Sequence, residues 1–300
     1  MGIRTMNNTV SIDGGRIKKK SENMLAIFAR RMARRKEAMV GLAILLILAV
    51  LAFLAPYICR YSYSEMNLQN AFASPSKEHL LGTDSMGRDV LSRILYGGRF
   101  SLSIGIVSVA ISASGGLIFG SIAGFFGGRA DNLIMRALDT FHAIPQVLLA
   151  ITISSALGAG FFKTVLAVGI GGIPNFARTI RANILAIRGL EYVEAAESIN
   201  CRSARIIFRH VIPNAITPFI VHCTLAIAGG LIVSATLSYI GLGVQPPLPE
   251  WGAMLSDARS YVRQYPYLML CPGIFIMVTV MAFNLIGDAV RDALDPKLNK

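Results

Sequence analysis

Charge is what this chain has little of. Asp, Glu, Lys and Arg make up 15 % of its 300 residues and hydrophobic residues 54 %, where about a quarter of a soluble domain is charged. That scarcity excludes an ordinary water-soluble globule. Cysteine is also sparse: four residues, at 59, 201, 223 and 271, form no C-x-x-C pair, and the four histidines do not join them at ligand spacing. A disulfide framework and a zinc site are therefore not expected. Strand-like alternation is missing from runs such as MVGLAILLILAVLAFLAPYI, which argues against a transmembrane barrel. The formal charge of +12 is not gathered on a basic face of a soluble module, so nucleic acid is not the expected partner.

Catalytic signatures are absent as well. GAGFFKT at 158–164 comes near a phosphate-binding loop, but Phe162 stands where the second glycine must precede the lysine. No G-x-G-x-x-G follows a strand pattern, and no Ser/His/Asp or paired-carboxylate set can be placed in one pocket. An enzyme is not expected, and neither is a cofactor bound by this chain.

What the chain does have is long apolar runs. A bilayer core of about 30 Å takes roughly 20 helical residues, and runs near 38–58, 100–127, 133–157, 161–180, 213–240 and 268–288 approach that size. The reading is an all-α membrane protein with six transmembrane helices. The first run lacks a small-x-small cleavage site and reads as an uncleaved span. The chain divides into a basic tail 1–37, the first span 38–58, a loop 59–99, a five-helix core 100–290 and a tail 291–300. The fourth span is the weakest, because Gly171, Gly172 and Pro174 interrupt it. Lys and Arg favour the cytoplasmic face, and the six-span reading with both termini inside puts 21 of the 29 there and 8 outside. Without the fourth span, the arginines from Arg178 to Arg209 would face outward.

Several stretches invite a role. Gly116, Gly120, Gly124 and Gly128 recur every four residues, a small-residue seam for packing within the subunit or against a partner. Arg136 and Asp139, three apart, can pair on one helix face, as a structural ion pair or a relay. In the loop, Asp84, Arg88 and Asp89 read as a lock onto the second span, with contact to an external partner as the alternative; Gly82 and Gly87 permit tight turns.

EYVEAAESINCRSARIIFRHVIPNAITPFIV, residues 191–221, interrupts the apolar sequence with three glutamates and three arginines. Glu191, Glu194 and Glu197 suit the start of a short helix. Asn200 tolerates the left-handed conformation that ends one. A second short helix carries Arg202, Arg205 and Arg209, and Pro213 opens the next span. The expected product is a rigid knuckle exposing Ala195 and Ala196, or else an amphipathic linker lying on anionic lipid.

These residues carry a resemblance. Glu194-Ala195-Ala196, the turn at Asn200 and Ile212-Pro213 resemble the EAA loop of permease subunits of ABC importers. LGTDSMGRDVLSRILYGGRFSLSIGI, MRALDTFHAIPQ, EYVEAAESINCRSARIIFRHVIPN and LSYIGLGVQPPLPEWGAML together resemble the second permease of the dipeptide, oligopeptide and nickel importers, over roughly residues 35–297. The resemblance implies a type I ABC importer permease fold with a coupling loop at 189–213, in the cytoplasmic (inner) membrane. It implies a homologous second permease as heterodimer partner and two cytoplasmic ATPase subunits holding ATP and magnesium. A solute-binding protein would deliver the cargo. Short peptides are the expected cargo, with nickel or another chelated metal as the alternative, and a self-sufficient secondary transporter as the rival of a different class. One position departs: Asn200 stands where the family commonly has glycine.

Overall fold

The computed structural model describes residues 12–13, 16–17 and 30–294. The expected tails fall largely outside them, and so do Arg4, Lys18, Lys19, Lys20, Lys297 and Lys300. Apart from a two-residue hairpin, Ile12–Asp13 on Arg16–Ile17, the described chain is helical.

α1 is Lys36–Ile58. Its large side chains Leu46, Ile47, Val50 and Phe53 are exposed, as a lipid-facing surface requires. Its small residues Ala38, Gly41, Ala52 and Ala55 are buried. A Cβ on Gly41 would lie 2.8 Å from the Ala282 carbonyl oxygen, so the last helix approaches this face at backbone distance. After the loop 59–89 comes α2, Val90–Phe126, started by Asp89, whose carboxylate accepts the Ser92 N–H at 2.7 Å. Its 37 residues span about 55 Å at 1.5 Å each, well beyond the bilayer core.

The expected third span is two helices, α3 (Gly128–His142) and α4 (Gln146–Leu157), bent by 88° at the break. The residue before proline avoids helical geometry, and Pro145 follows Ala143-Ile144. α3 is amphipathic and α4 apolar, so if α4 enters the membrane α3 runs along its surface. α5 is Phe161–Arg188, α6 Glu191–Ser198, α7 Ser203–Tyr239, α8 Trp251–Ala258 and α9 Tyr267–Leu294.

Among the described residues α1, α2, α7 and α9 are long and apolar enough to cross a membrane, and the bent pair makes a fifth candidate. α5, the sixth, is 28 residues long but diluted by Gly, Asn and Arg, as its sequence suggested.

The centre of the bundle is the pair α2 and α5. Cβ atoms on Gly116 or Gly120 would strike Phe176, Ala177 and Ile180, and on Gly124 would lie 3.0 Å from Ile184. The seam therefore serves packing within the subunit. Apolar side chains gain little by leaving lipid for each other, so close backbone approach and interhelical hydrogen bonds hold such a pair. Ser112 Oγ donates to the Gly169 carbonyl at 2.6 Å and Ser108 Oγ to that of Val165 at 3.1 Å. Gly128 is not part of the seam. α2 ends at Phe126, and a Cβ on Gly128 would meet nothing within 4 Å.

Candidate functional site: a knuckle on one end, a lock on the other

α6 ends in a Schellman turn. Asn200 has φ +55°; its N–H donates to the Glu197 carbonyl at 2.9 Å, and the Cys201 N–H to that of Ala196 at 3.1 Å. Asn200 thus does what the sequence asked of it. Val193 and Ala196 of α6 and Ile206, Val211 and Ala215 of α7 are buried in one cluster with Ile180 and Ile184 of α5 and Phe125 and Phe219. A force on the knuckle is therefore carried into α5 and α7 through close-packed side chains.

Glu194, Ala195, Asn200, Arg202 and Arg205 are exposed around this turn. Ala196 is not: it is 7 % exposed, because it shares the inward stripe of Val193 three residues earlier. Pro213 stands in the first turn of the α-helix Ile212–Tyr239, as expected, but helical turns already precede it. α7 runs unbroken from Ser203, with a π turn at Ile207–Val211 just before Ile212 and Pro213. Widening the helix at that point accommodates a residue that has no N–H to donate. Ile212 is half-buried and Pro213 exposed.

Two residues of this surface escaped the sequence reading. Ile199 and Phe208 are 76 % and 71 % exposed, large apolar groups beside acidic and basic ones. The signal for Ile199 was its place after Ser198, where the turn throws it out of the Val193–Ala196 register.

At the opposite end of the bundle Asp84 accepts from the backbone N–H groups of Met86 and Arg88, each at 2.9 Å, from Arg88 Nε at 2.7 Å and from Arg93 Nη1. Asp257, just inside the end of α8, faces both guanidiniums at 3.4 Å. Asp89, besides capping α2, pairs with His79 Nδ1 at 3.0 Å. Asp84, Arg88, Asp89 and Arg93 are all buried, so the structure ties the three loop residues to the start of α2 and brings in Arg93 and Asp257 besides. Beside it, Glu250 caps α8 through the Ala253 N–H at 2.8 Å, and Trp251 donates Nε1–H to the Ile94 carbonyl at 2.9 Å. Burial pushes the Glu250 carboxyl above its ordinary range.

The Arg136–Asp139 pair does not form. Arg178 Nη2 of α5 binds Asp139 at 2.6 Å instead. An exposed pair three apart on one helix is worth only about 0.2–0.5 kcal/mol, so a cation arriving from a neighbouring helix displaces it easily. One helical turn along α5, Arg181 forks onto Asp131, Nε and Nη2 both at 2.6 Å.

Residues 116–300 match the family of binding-protein-dependent transport system inner membrane components. The chain belongs to that family. The permease also matches, over residues 23–75, the N-terminal transmembrane domain of oligopeptide transport permease C. It is 40 % identical over 288 residues to the oligopeptide transport system permease protein OppC of Bacillus subtilis, covering 96 % of this chain and 94 % of that one. It is 44 % identical over 275 residues to the glutathione transport system permease protein GsiD of Pectobacterium atrosepticum, 90 % of each. With the dipeptide transport system permease protein DppC of Alkalihalophilus pseudofirmus it shares 41 % over 269 residues, 90 % of this chain and 88 % of that one. Its fold is similar to that of the MetNI methionine ABC transporter in inward-facing conformations, with a TM-score of 0.56 at 16 % identity, over 67 % of this chain and 96 % of that one. The permease has the type I ABC importer fold and is a multi-pass membrane protein.

Proposed function

We propose that this permease forms half of the translocation pathway of an ATP-driven importer of short peptides, and that its knuckle couples that pathway to ATPase subunits. The observation that supports the cargo is similarity along nearly the whole chain to oligopeptide, dipeptide and glutathione permeases. None of those three names speaks for nickel. The geometry supports the coupling role: a turn fixed by backbone hydrogen bonds, with Val193 and Ala196 buried beneath it, would offer Glu194, Ala195 and Asn200 to a partner's surface and move with α5 and α7.

On this reading the knuckle end faces the cytoplasm and the locked loop the outside. A second, homologous permease completes the pathway, a solute-binding protein loads it, and ATP with magnesium acts on the ATPases. This chain holds no catalytic role.

The test is co-purification from detergent of the permease expressed with its neighbouring genes. The ATPases should accompany the native chain and be lost from Ala195→Arg. Reconstituted complex should take up labelled dipeptide only with ATP. Uptake of nickel but not dipeptide would change the cargo, and transport by the permease alone without ATP would replace the importer with a secondary transporter.

A further inference from the structure

α3 is weakly anchored in the bundle. None of its 15 residues is buried, and a cavity of about 350 Å³ opens between it and its neighbours, walled by Phe119, Leu133, Leu138, Phe141, Ile170 and Pro174. Both of its ends are built to turn. At one end Gly127 and Gly128 have φ +64° and +54°, a conformation that glycine reaches freely, and a Cβ on Gly128 would stand in open space. At the other is the 88° break before α4. Segments with few buried apolar contacts open at the lowest free energy in a structure.

Two ion pairs hold this arm, Asp131–Arg181 and Asp139–Arg178. Both cations belong to one stretch of α5, beside Ile180 and Ile184, which are buried in the same cluster as Val193 and Ala196 of the knuckle. Only Gly189 and Leu190 separate α5 from α6. Movement of the knuckle therefore moves Arg178 and Arg181 with it.

We propose that α3 is a hinged arm that relays movement of the knuckle to α4, and that Asp131–Arg181 and Asp139–Arg178 are the latch joining the arm to α5. Asp131, Asp139, Arg178 and Arg181 are then positioning residues for transport: they touch neither cargo nor ATPase, and act by making α4 follow α5. The inference rests on the importer reading above and goes beyond it in naming the route from knuckle to pathway.

The experiment uses the whole reconstituted complex and reads peptide taken up per ATP hydrolysed. Asp131→Arg and Arg181→Asp should each leave hydrolysis running while the ratio falls roughly tenfold, a typical size for coupling between sites. The exchanged pair, Asp131→Arg with Arg181→Asp, should restore it. An unchanged ratio in the single variants, or no recovery in the exchanged pair, overturns the latch. Should the single variants fail to assemble, spin labels at Asn132 and Leu185 in the otherwise native complex decide: their separation should change by several ångströms between the nucleotide-free and ATP-trapped states, and a constant separation overturns the moving arm. Ala195→Arg run in parallel keeps the two readings apart, since ATPases that stay bound to it would refute the importer coupling itself.

Discussion

Asn200 sits in a backbone conformation that costs most L-residues about 1–2 kcal/mol, and its side chain is exposed. Asn200→Gly removes that cost without removing a contact inside the chain, so the melting temperature of the detergent-solubilised permease should stay level or rise. Asn200→Val should lower it, because a β-branched residue resists the left-handed region and the bonds to Glu197 and Ala196 depend on it. The seam glycines behave in the opposite way. Gly120→Leu drives a side chain into Ile180 and the Ala177 backbone, and overpacking of this kind costs about 1–3 kcal/mol; thermal unfolding should show the loss. The sequence made Gly116, Gly120 and Gly124 legible as a seam because spacing by four is a helical face. It could not show that the helix stops at Phe126, since Gly127 and Gly128 continue the same composition.

At the scale of elements, two sets of ion pairs resemble each other in drawing and differ in energy. The lock around Asp84 is buried, so Asp84→Asn leaves Arg88 and Arg93 facing Asp257 alone. Removing one partner of a buried pair costs about 3–5 kcal/mol. The variant should melt earlier and admit protease within residues 59–89. In the Asp139–Arg178 pair the side chains are 52 % and 40 % exposed respectively, and such pairs contribute about 0–1 kcal/mol. Asp139→Asn should leave the melting temperature nearly unchanged, and any loss of transport in it is then a loss of coupling. The lock was legible because Gly82, Asp84, Gly87 and Asp89 are turn and cap residues crowded into one short stretch. The arm was not. Its apolar positions Leu133, Ile134, Ala137, Leu138 and Phe141 continue into those of α4, so hydropathy merges two helices that stand at 88°, and nothing local announces that Arg178, 39 residues away, outcompetes Arg136.

For the whole molecule the open quantity is orientation, and it is where charge counting and packing can be set against each other. The 21-to-8 division of Lys and Arg assumes that α5 crosses the membrane, although α5 is too polar to be picked out by hydropathy and is absent from the four helices that are. Packing supplies what hydropathy withholds. α5 lies along α2 with Ser108, Ser112 and the seam glycines against its backbone, so the face it turns to α2 is held by close packing and interhelical hydrogen bonds, not by hydropathy. If α5 crosses, Ser203 at the start of α7 and Ser256 in α8 lie on opposite faces. All four native cysteines are partly exposed and must first be replaced. In that background Ser203→Cys should react with an impermeant maleimide only when the cytoplasmic face is opened, and Ser256→Cys from outside in sealed cells. The exchanged pattern, Ser203→Cys labelled from outside and Ser256→Cys only when the cytoplasmic face is opened, would mean that α5 folds back without crossing, and the arginines from Arg178 to Arg209 would then lie outside against the charge rule.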